Sequence, residues 1–197
     1  MSAPPVFPEI KQNGLSAQDE IRSVRVPPFR FKYFKNNWPA IYEPIVKQMK
    51  LNIRMNPNAH VIQLKTNPDS CIDAVQKTCD FIEAISKGFE AKDAIALLKM
   101  DEVCVDSFEI DNVKRLQGDH LKRAMGRIAG KDGKIKFSIE NATHTRIIMM
   151  GQKISVMGSQ ANVKFARDAI QDLILGAPPG KVYNNLKNIA SRLDSSI

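Results

Sequence analysis

Residues 114–137 read KRLQGDHLKRAMGRIAGKDGKIKF, and the tetrad in their middle, Gly130-Lys131-Asp132-Gly133, decides how the rest of the chain is read. The stretch holds eight basic residues (Lys114, Arg115, Lys122, Arg123, Arg127, Lys131, Lys134 and Lys136) against two acids, Asp119 and Asp132. That is a net of +6, out of +8 for the whole chain. Before the tetrad, Leu121, Ala124/Met125 and Ile128 recur at i, i+3/i+4 and i+7, the spacing of one apolar helical face. After it, Ile135, Ile139 and Ala142 do the same. The spacing predicts helix, glycine tetrad, helix.

Glycine reaches backbone angles closed to other residues and has no Cβ, so a phosphate can approach the main chain closely. The loop also precedes a helix, whose first amides are unpaired and whose dipole end is positive. Lys131 and Lys134 add formal charge, and Arg123 and Arg127 share one face of the preceding helix at i and i+4. A lone G-x-x-G is a weak signal, and a basic helix face is usually only a solvated surface. Here the helical context and the concentration of charge give the tetrad its weight. Helix, G-x-x-G and helix form the gripping element of KH domains, whose loop clamps about four nucleotides of a single strand. The candidate RNA-binding residues are Gly130, Lys131, Asp132, Gly133 and Lys134 at the loop, with Lys122, Arg123, Arg127 and Lys136 as flanking cations. Ile128 and Ile135, with Ile148, are candidates for the apolar groove that chooses bases.

Global properties set the bounds. A chain of 197 residues holds one large domain or two of ~100 residues, and 43% hydrophobic content is ample for packed cores. A pI near 9.4 fits an anionic partner, nucleic acid or a membrane surface. No segment approaches the ~20 apolar residues of a membrane span and no signal peptide is evident, so a soluble intracellular protein without membrane attachment is expected. Three cysteines argue against a disulfide framework. Cys79 falls on the stripe Ile72-Val75-Cys79-Ile82 and Cys104 in the strand-like Val103-Cys104-Val105, both read as buried; Cys71 is less constrained. His60, His120 and His144 are scattered, and no metal spacing, carboxylate pair or nucleophile–base set stands out. No cofactor, no metal and no enzymatic activity are expected.

Taken in order, residues 1–23 are polar, with Pro4, Pro5, Pro8 and Gly14, and read as a flexible tail. VRVPPFRFKYF (24–34) is basic and aromatic; Pro27-Pro28 limits it to an edge strand or extended arm. Its aromatics either stack on a nucleic-acid strand or cover the first core. Asn37 caps a helix starting at Trp38-Pro39, with Trp38, Ile41/Tyr42, Ile45/Val46 and Met49 inward. Strands Leu51–Met55 and His60–Lys65 follow. Asp69 or Ser70 caps a long helix to Lys87, ended by Gly88. A shorter helix, Ala91–Met100, leads to a strand over Glu102–Ile110.

The second half repeats the order: a strand ending near Val113, the helix–tetrad–helix unit, then a hairpin Thr145–Met150 and Lys153–Met157 with Gly151-Gln152 suited to a II′ turn. Ser159 caps a helix whose Val163, Ala166, Ile170 and Leu173/Ile174 face inward. The expected fold class is α+β: two tandem KH-type domains (type I, β-α-α-β-β-α), the first degenerate and lacking G-x-x-G, with only Lys50-Leu51-Asn52 between its helix and hairpin. The expected boundaries are 1–23 tail, 24–110 degenerate KH-like domain, 111–176 KH domain with the G-x-x-G loop, and 177–197 a proline turn and amphipathic helix. That helix, with Tyr183, Leu186, Ile189/Ala190 and Leu193 on one face, is expected to pack on the second domain, the alternative being to present that face to a partner.

GDHLKRAMGRIAGKDGKIKFSIENATHTRI (118–147) and LILGAPPGKVYNNLKNIASRL (173–193) closely resemble the eukaryotic Partner-of-Nob family of KH-domain small-subunit ribosome assembly factors. The likeness runs from about residue 24 to the end and is strongest from Phe108 onward. The resemblance implies a non-enzymatic protein that binds the 3′ region of pre-18S ribosomal RNA in the pre-40S particle. It also implies that the protein supports the final cut by the Nob endonuclease and has links to the dimethyladenosine transferase. Location in the nucleus and nucleolus follows, with shuttling to the cytoplasm on pre-40S. By the same match Gly130, Lys131 and Gly133 take the place of the RNA-clamping loop, and Asp132 puts an acid beside the phosphate path. Two other readings stay open: a KH-fold protein-docking scaffold with little direct RNA grip, and a generic single-stranded mRNA-binding KH protein.

Overall fold

The structure is a computed structural model that describes residues 21–68, 70 and 73–194, with side chains to residue 191. Strand β1 (Ile21–Arg25) is followed by helices α1 (Pro28–Asn36) and α2 (Trp38–Met49), the hairpin β2 (Asn52–Asn56) and β3 (Val61–Lys65), and helix α3 (Ala74–Ser86). The strands form an antiparallel sheet in the order β1-β3-β2, with Val24 and Met55 both opposite Ile62. The expected tail of residues 1–23 falls outside the described residues up to residue 20, and its last three residues belong to β1. The aromatic segment is not an extended arm. The edge strand ends at Arg25, and Pro28 opens α1 at a position where its missing N–H is no loss. Phe34 is then buried, and Phe31 and Tyr33 pack on the first core.

Asn37 separates α1 from α2 without capping α2. Its backbone N–H and its Nδ2 both donate to the Tyr33 carbonyl, each at 3.0 Å. This junction, Asn36-Asn37, is the counterpart of the glycine tetrad, rather than the later Lys50-Leu51-Asn52. It has no glycine, and Asn37 keeps a negative φ of −108°. Helix α3 begins later than Asp69 or Ser70. The Ser70 hydroxyl donates to the Asn67 carbonyl at 2.7 Å and so makes a turn instead of a cap. Asp69, Cys71 and Ile72 lie outside the described residues. At its other end α3 closes with Gly88 at φ +112°, the Gly88 amide bonding Ile85 O and the Phe89 amide bonding Ala84 O. These two bonds make a Schellman motif. Short helices α4 (Ala91–Ala94) and α5 (Ala96–Lys99) complete this half.

Strand β4 (Val103–Glu109), helices α6 (Ile110–Val113), α7 (Asp119–Ala129) and α8 (Lys134–Thr143), strands β5 (Arg146–Met150) and β6 (Lys153–Ser159), and helix α9 (Gln160–Leu175) form the second half. Its sheet order, β4-β6-β5, repeats the first. The sequence boundary at Ile110 cuts this unit: β4 pairs with β6 from Val103↔Ser159 to Glu109↔Lys153, and no separate strand ends near Val113. Gly151 has φ +59° while Gln152 does not take positive φ, as the II′ turn requires. Ser159 Oγ accepts the Asn162 amide at 3.4 Å and caps α9. Helix α10 (Pro179–Asp194) packs on α8 and α9, burying Val182 and Leu186. Both halves are thus β-α-α-β-β-α units of the KH type, and the chain is α+β. Among the described residues no helix is long and apolar enough to cross a membrane.

The second sheet is apolar on both faces. Phe108, Ile147, Ile154 and Val156 pack with α7–α10, whereas Val103, Val105, Ile148 and Met157 pack into the first core. Gly88 sits at this seam, where a Cβ would lie 2.8 Å from Ile148 Cγ2 and 3.1 Å from Met150 Sδ. Gly88→Ala combines a strained φ with that overlap, so stability should fall by roughly 1–3 kcal/mol. A urea titration followed by circular dichroism checks this; an unchanged midpoint would mean that the seam is slack.

Candidate nucleic-acid interface

Helix α7 turns Ala124 and Ile128 into the second core and leaves Lys122 and Arg123 in solvent. It ends when the Gly130 amide bonds Gly126 O at 2.8 Å and Gly130 takes φ +72°, ψ 179°. Gly130 is required twice over: a Cβ there would sit 2.6 Å from Ile135 Cγ1. Lys131–Gly133 form a single 3₁₀ turn in which Asp132 (φ 55°, ψ 28°) and Gly133 (φ 75°, ψ 8°) are both left-handed. Aspartate tolerates that region better than most side chains. Helix α8 then starts without a side-chain cap and without an acid in its first turn. A helix start of this kind offers backbone N–H groups and positive dipole to an anion.

The structure sorts the candidate residues. Lys131, Asp132 and Lys134 are exposed at the loop, and Arg123 is exposed on α7. Lys122 is exposed too, 3.7 Å from Asp119 in a solvent-facing pair that solvent largely screens. Arg127 is turned elsewhere: its Nε donates to Leu173 O at 2.9 Å and its Nη2 to Ile174 O at 3.2 Å, bracing α7 against the end of α9. Lys136 lies 3.9 Å from Glu140, a buried carboxylate that accepts the Ile147 amide at 2.7 Å. Ile128 is fully buried in the second core and Ile148 faces the first, so neither supplies a groove wall. Ile135, partly buried over Gly130, is the one isoleucine of the three beside the loop.

One surface residue escaped the sequence reading. Phe137 on α8 is 59% exposed, one turn beyond Lys134. Its signal was available: it lies off the Ile135/Ile139/Ala142 face. Elsewhere the chemistry is quiet. Burial pushes the Cys79 and Cys104 thiols up from their ordinary value, Asp106 adding to it at Cys104. Neither is an activated nucleophile. Among the described residues no group of three or more His, Cys, Asp or Glu could hold a metal ion.

A family model for the eukaryotic type KH-domain (KH-domain type I), in the form of the second such domain of PNO1, matches residues 107–191. The chain is 48% identical over 193 residues to the pre-rRNA-processing protein PNO1 of Debaryomyces hansenii, covering 98% of this chain and 76% of that one. It is 49% identical to the Saccharomyces cerevisiae protein of the same name (93% and 68% covered), and 48% identical to the RNA-binding protein pno1 of Dictyostelium discoideum (95% and 78%). Among solved structures, a protein of unknown function from Aeropyrum pernix aligns with TM-score 0.78 at 23% identity, covering 91% of this chain and 95% of that one. Dim2p of Pyrococcus horikoshii, in a complex with a/eIF2alpha and rRNA, aligns with TM-score 0.77 at 22% identity (89% and 97%). At that identity the structures share the fold.

The three glycines around the loop should respond differently to alanine. Gly130→Ala combines positive φ with overlap on Ile135 and should cost about 2 kcal/mol or more, whereas Gly133→Ala has open space and should cost about 1 kcal/mol from strain alone. Gly126→Ala, inside α7 with nothing within 4 Å, should stabilise by roughly 0.5–1 kcal/mol. Thermal unfolding of the three variants tests the order; equal effects at Gly130 and Gly133 would remove Ile135 from the loop's support.

Proposed function

This chain belongs to the PNO1 family of KH-domain pre-rRNA-processing proteins, and from that membership we propose that it binds single-stranded ribosomal RNA through the Gly130–Gly133 loop. The RNA is the 3′ region of pre-18S rRNA in the pre-40S particle. By holding that strand, the protein supports the final 3′ cut made by the Nob endonuclease, with the dimethyladenosine transferase as a further partner. It binds and positions, and another protein makes and breaks the bonds. It acts in the nucleus and nucleolus and travels to the cytoplasm with the particle. The rRNA in the complex of the Pyrococcus horikoshii neighbour supports the ligand class.

The observation that carries the reading is the uncapped start of α8 behind two left-handed residues, flanked by exposed Lys131 and Lys134. A phosphate there meets backbone N–H groups and two cations at once. Asp132 sits within this path and tempers it. Phosphates carry no base information, so base choice belongs to the surface beside the loop, around Ile135.

Lys131→Asp sets a second carboxylate beside Asp132. The position is exposed, so the fold should change by no more than about 0.5 kcal/mol. Affinity for a short single-stranded RNA should fall several-fold or more, and the salt slope should shrink by roughly 0.7 for one lost phosphate contact. Asp132→Lys should strengthen binding equally for all sequences. Filter binding across a salt series measures both. If a folded Lys131→Asp protein keeps its affinity and salt dependence, the loop is not the clamp and a protein-docking role takes over.

A further inference from the structure

Among the clefts that the described residues form where the halves meet, two have linings of opposite net charge. The larger, about 1010 Å³, is lined by Asp93, Asp101, Glu102, Glu140 and Arg146, among others, with Arg146, Lys77 and Lys136 pairing with Asp93, Asp101 and Glu140. The smaller, about 360 Å³, is lined by Arg25, Phe29, Glu83, Lys87, Met150 and Lys153, among others. Lys87 is 3.7 Å from Glu83, whereas Arg25 and Lys153 have no carboxylate partner among the described residues. Phe29 is 65% exposed, although the other aromatics of α1 turn inward.

The walls of the smaller cleft are fixed. Arg30 Nε and Nη2 donate to Ile85 O (3.2 Å) and Phe89 O (3.0 Å), tying the start of α1 to the end of α3. The same guanidinium lies 4.2 Å from the centroid of the Tyr33 ring. Across the seam Gly88 fits closely under Ile148 and Met150. Arg25 and Phe29 come from the first half and Lys153 from the second, so neither half makes the cleft alone. The volume is at the small end of ~300–1,000 Å³ ligand sites and suits one flat base with its sugar, not a duplex.

We propose that this cleft is a second RNA contact, in which one unpaired nucleotide stacks its base on Phe29 and sets its phosphates between Arg25 and Lys153. An exposed aromatic ring flanked by unpaired cations is the arrangement that holds single strands without sequence preference. The assignment rests on the RNA-binding reading of the chain but uses none of the tetrad residues. It also gives the degenerate first half a direct share in the RNA.

The 197-residue chain is titrated with two single-stranded RNAs, one of about four nucleotides, the span of one KH loop, and one of about twelve. Phe29→Ala, and separately the pair Arg25→Gln with Lys153→Gln, should lower affinity for the longer RNA about five-fold or more, as stacking losses do. The pair should also flatten the salt slope by up to roughly 1.4, for two phosphates. Both should leave the short RNA unchanged. Phe29→Leu keeps the apolar surface and should lose affinity as Phe29→Ala does. If both RNAs bind the variants as they bind the parent protein, the cleft is not an RNA site. Failure of the parent protein to bind the short RNA, with the Phe29 loss intact on the longer one, removes the loop clamp and keeps the cleft. A glutamate peptide of about twelve residues that competes with the longer RNA, and is lost with the same variants, would assign the cleft to an acidic protein instead.

Discussion

The constraint on which the rest depends is that the second sheet must be covered on both faces. Antiparallel sheets commonly keep one face wet and alternate polar with apolar residues. Here Phe108, Ile147, Ile154 and Val156 need the helices of their own half, while Val103, Val105, Ile148 and Met157 need the first core. Met157 is buried against the first core and Val103, Val105 and Ile148 partly, and a fully buried side chain of this kind is worth roughly 1.5–3 kcal/mol, so peeling the halves apart would expose that apolar surface. The polar positions among these strands are satisfied locally. Ser107 and Ser155 share a hydroxyl bond at 3.0 Å, and Asp106 takes Arg167 at 2.7 Å, whose guanidinium also lies 5.0 Å from the Phe108 ring. The first half is therefore a structural partner of the sheet, whatever it does with RNA.

The loop inherits its rigidity from this arrangement. Helix α7 packs on α8 and α9 and α8 on β5, Arg127 clamps α7 to the last carbonyls of α9, and α10 packs on α8. A cation at a helix C-terminus is itself favourable, by about 0.3–1 kcal/mol at an exposed site. Cations that look equivalent along the basic stretch thus divide into two kinds. Arg127 braces the scaffold, and Lys131 and Lys134 stand in solvent where an anion can reach them.

What the chain shows in its letters is mostly local. The tetrad, the II′ hairpin at Gly151, the Ser159 cap and the repeated element order follow from glycine geometry, capping and periodicity, all of which act over a few residues. The errors arise where distant partners decide. Pro27-Pro28 argues against a strand but equally permits a helix start, and α1 forms because Phe31, Tyr33 and Phe34 find a core. The run Val103–Glu109 looks like the end of the first half because it follows the short helix in the chain, whereas its partner β6 comes much later in the sequence. Arg127 and Ile148 carry no mark of where they point. Arg127 is drawn away by the end of α9, and Ile148 by the first half's core.

Glu140 has a role apart from any ligand. Strand β5 lies at the border of its sheet, and alternate amides along it point away from β6, the Ile147 amide among them. An unprotected strand border of this kind, here with the apolar run Ile147–Met150, is a template onto which another chain can add. The Glu140 carboxylate occupies the Ile147 amide and sets a charge at that border, so an incoming strand loses a backbone bond and meets a buried anion. Helix α8, known above for its N-terminus, thereby guards the molecule against self-association at its other end. A chain whose α8 has not yet docked is the one most exposed to aggregation.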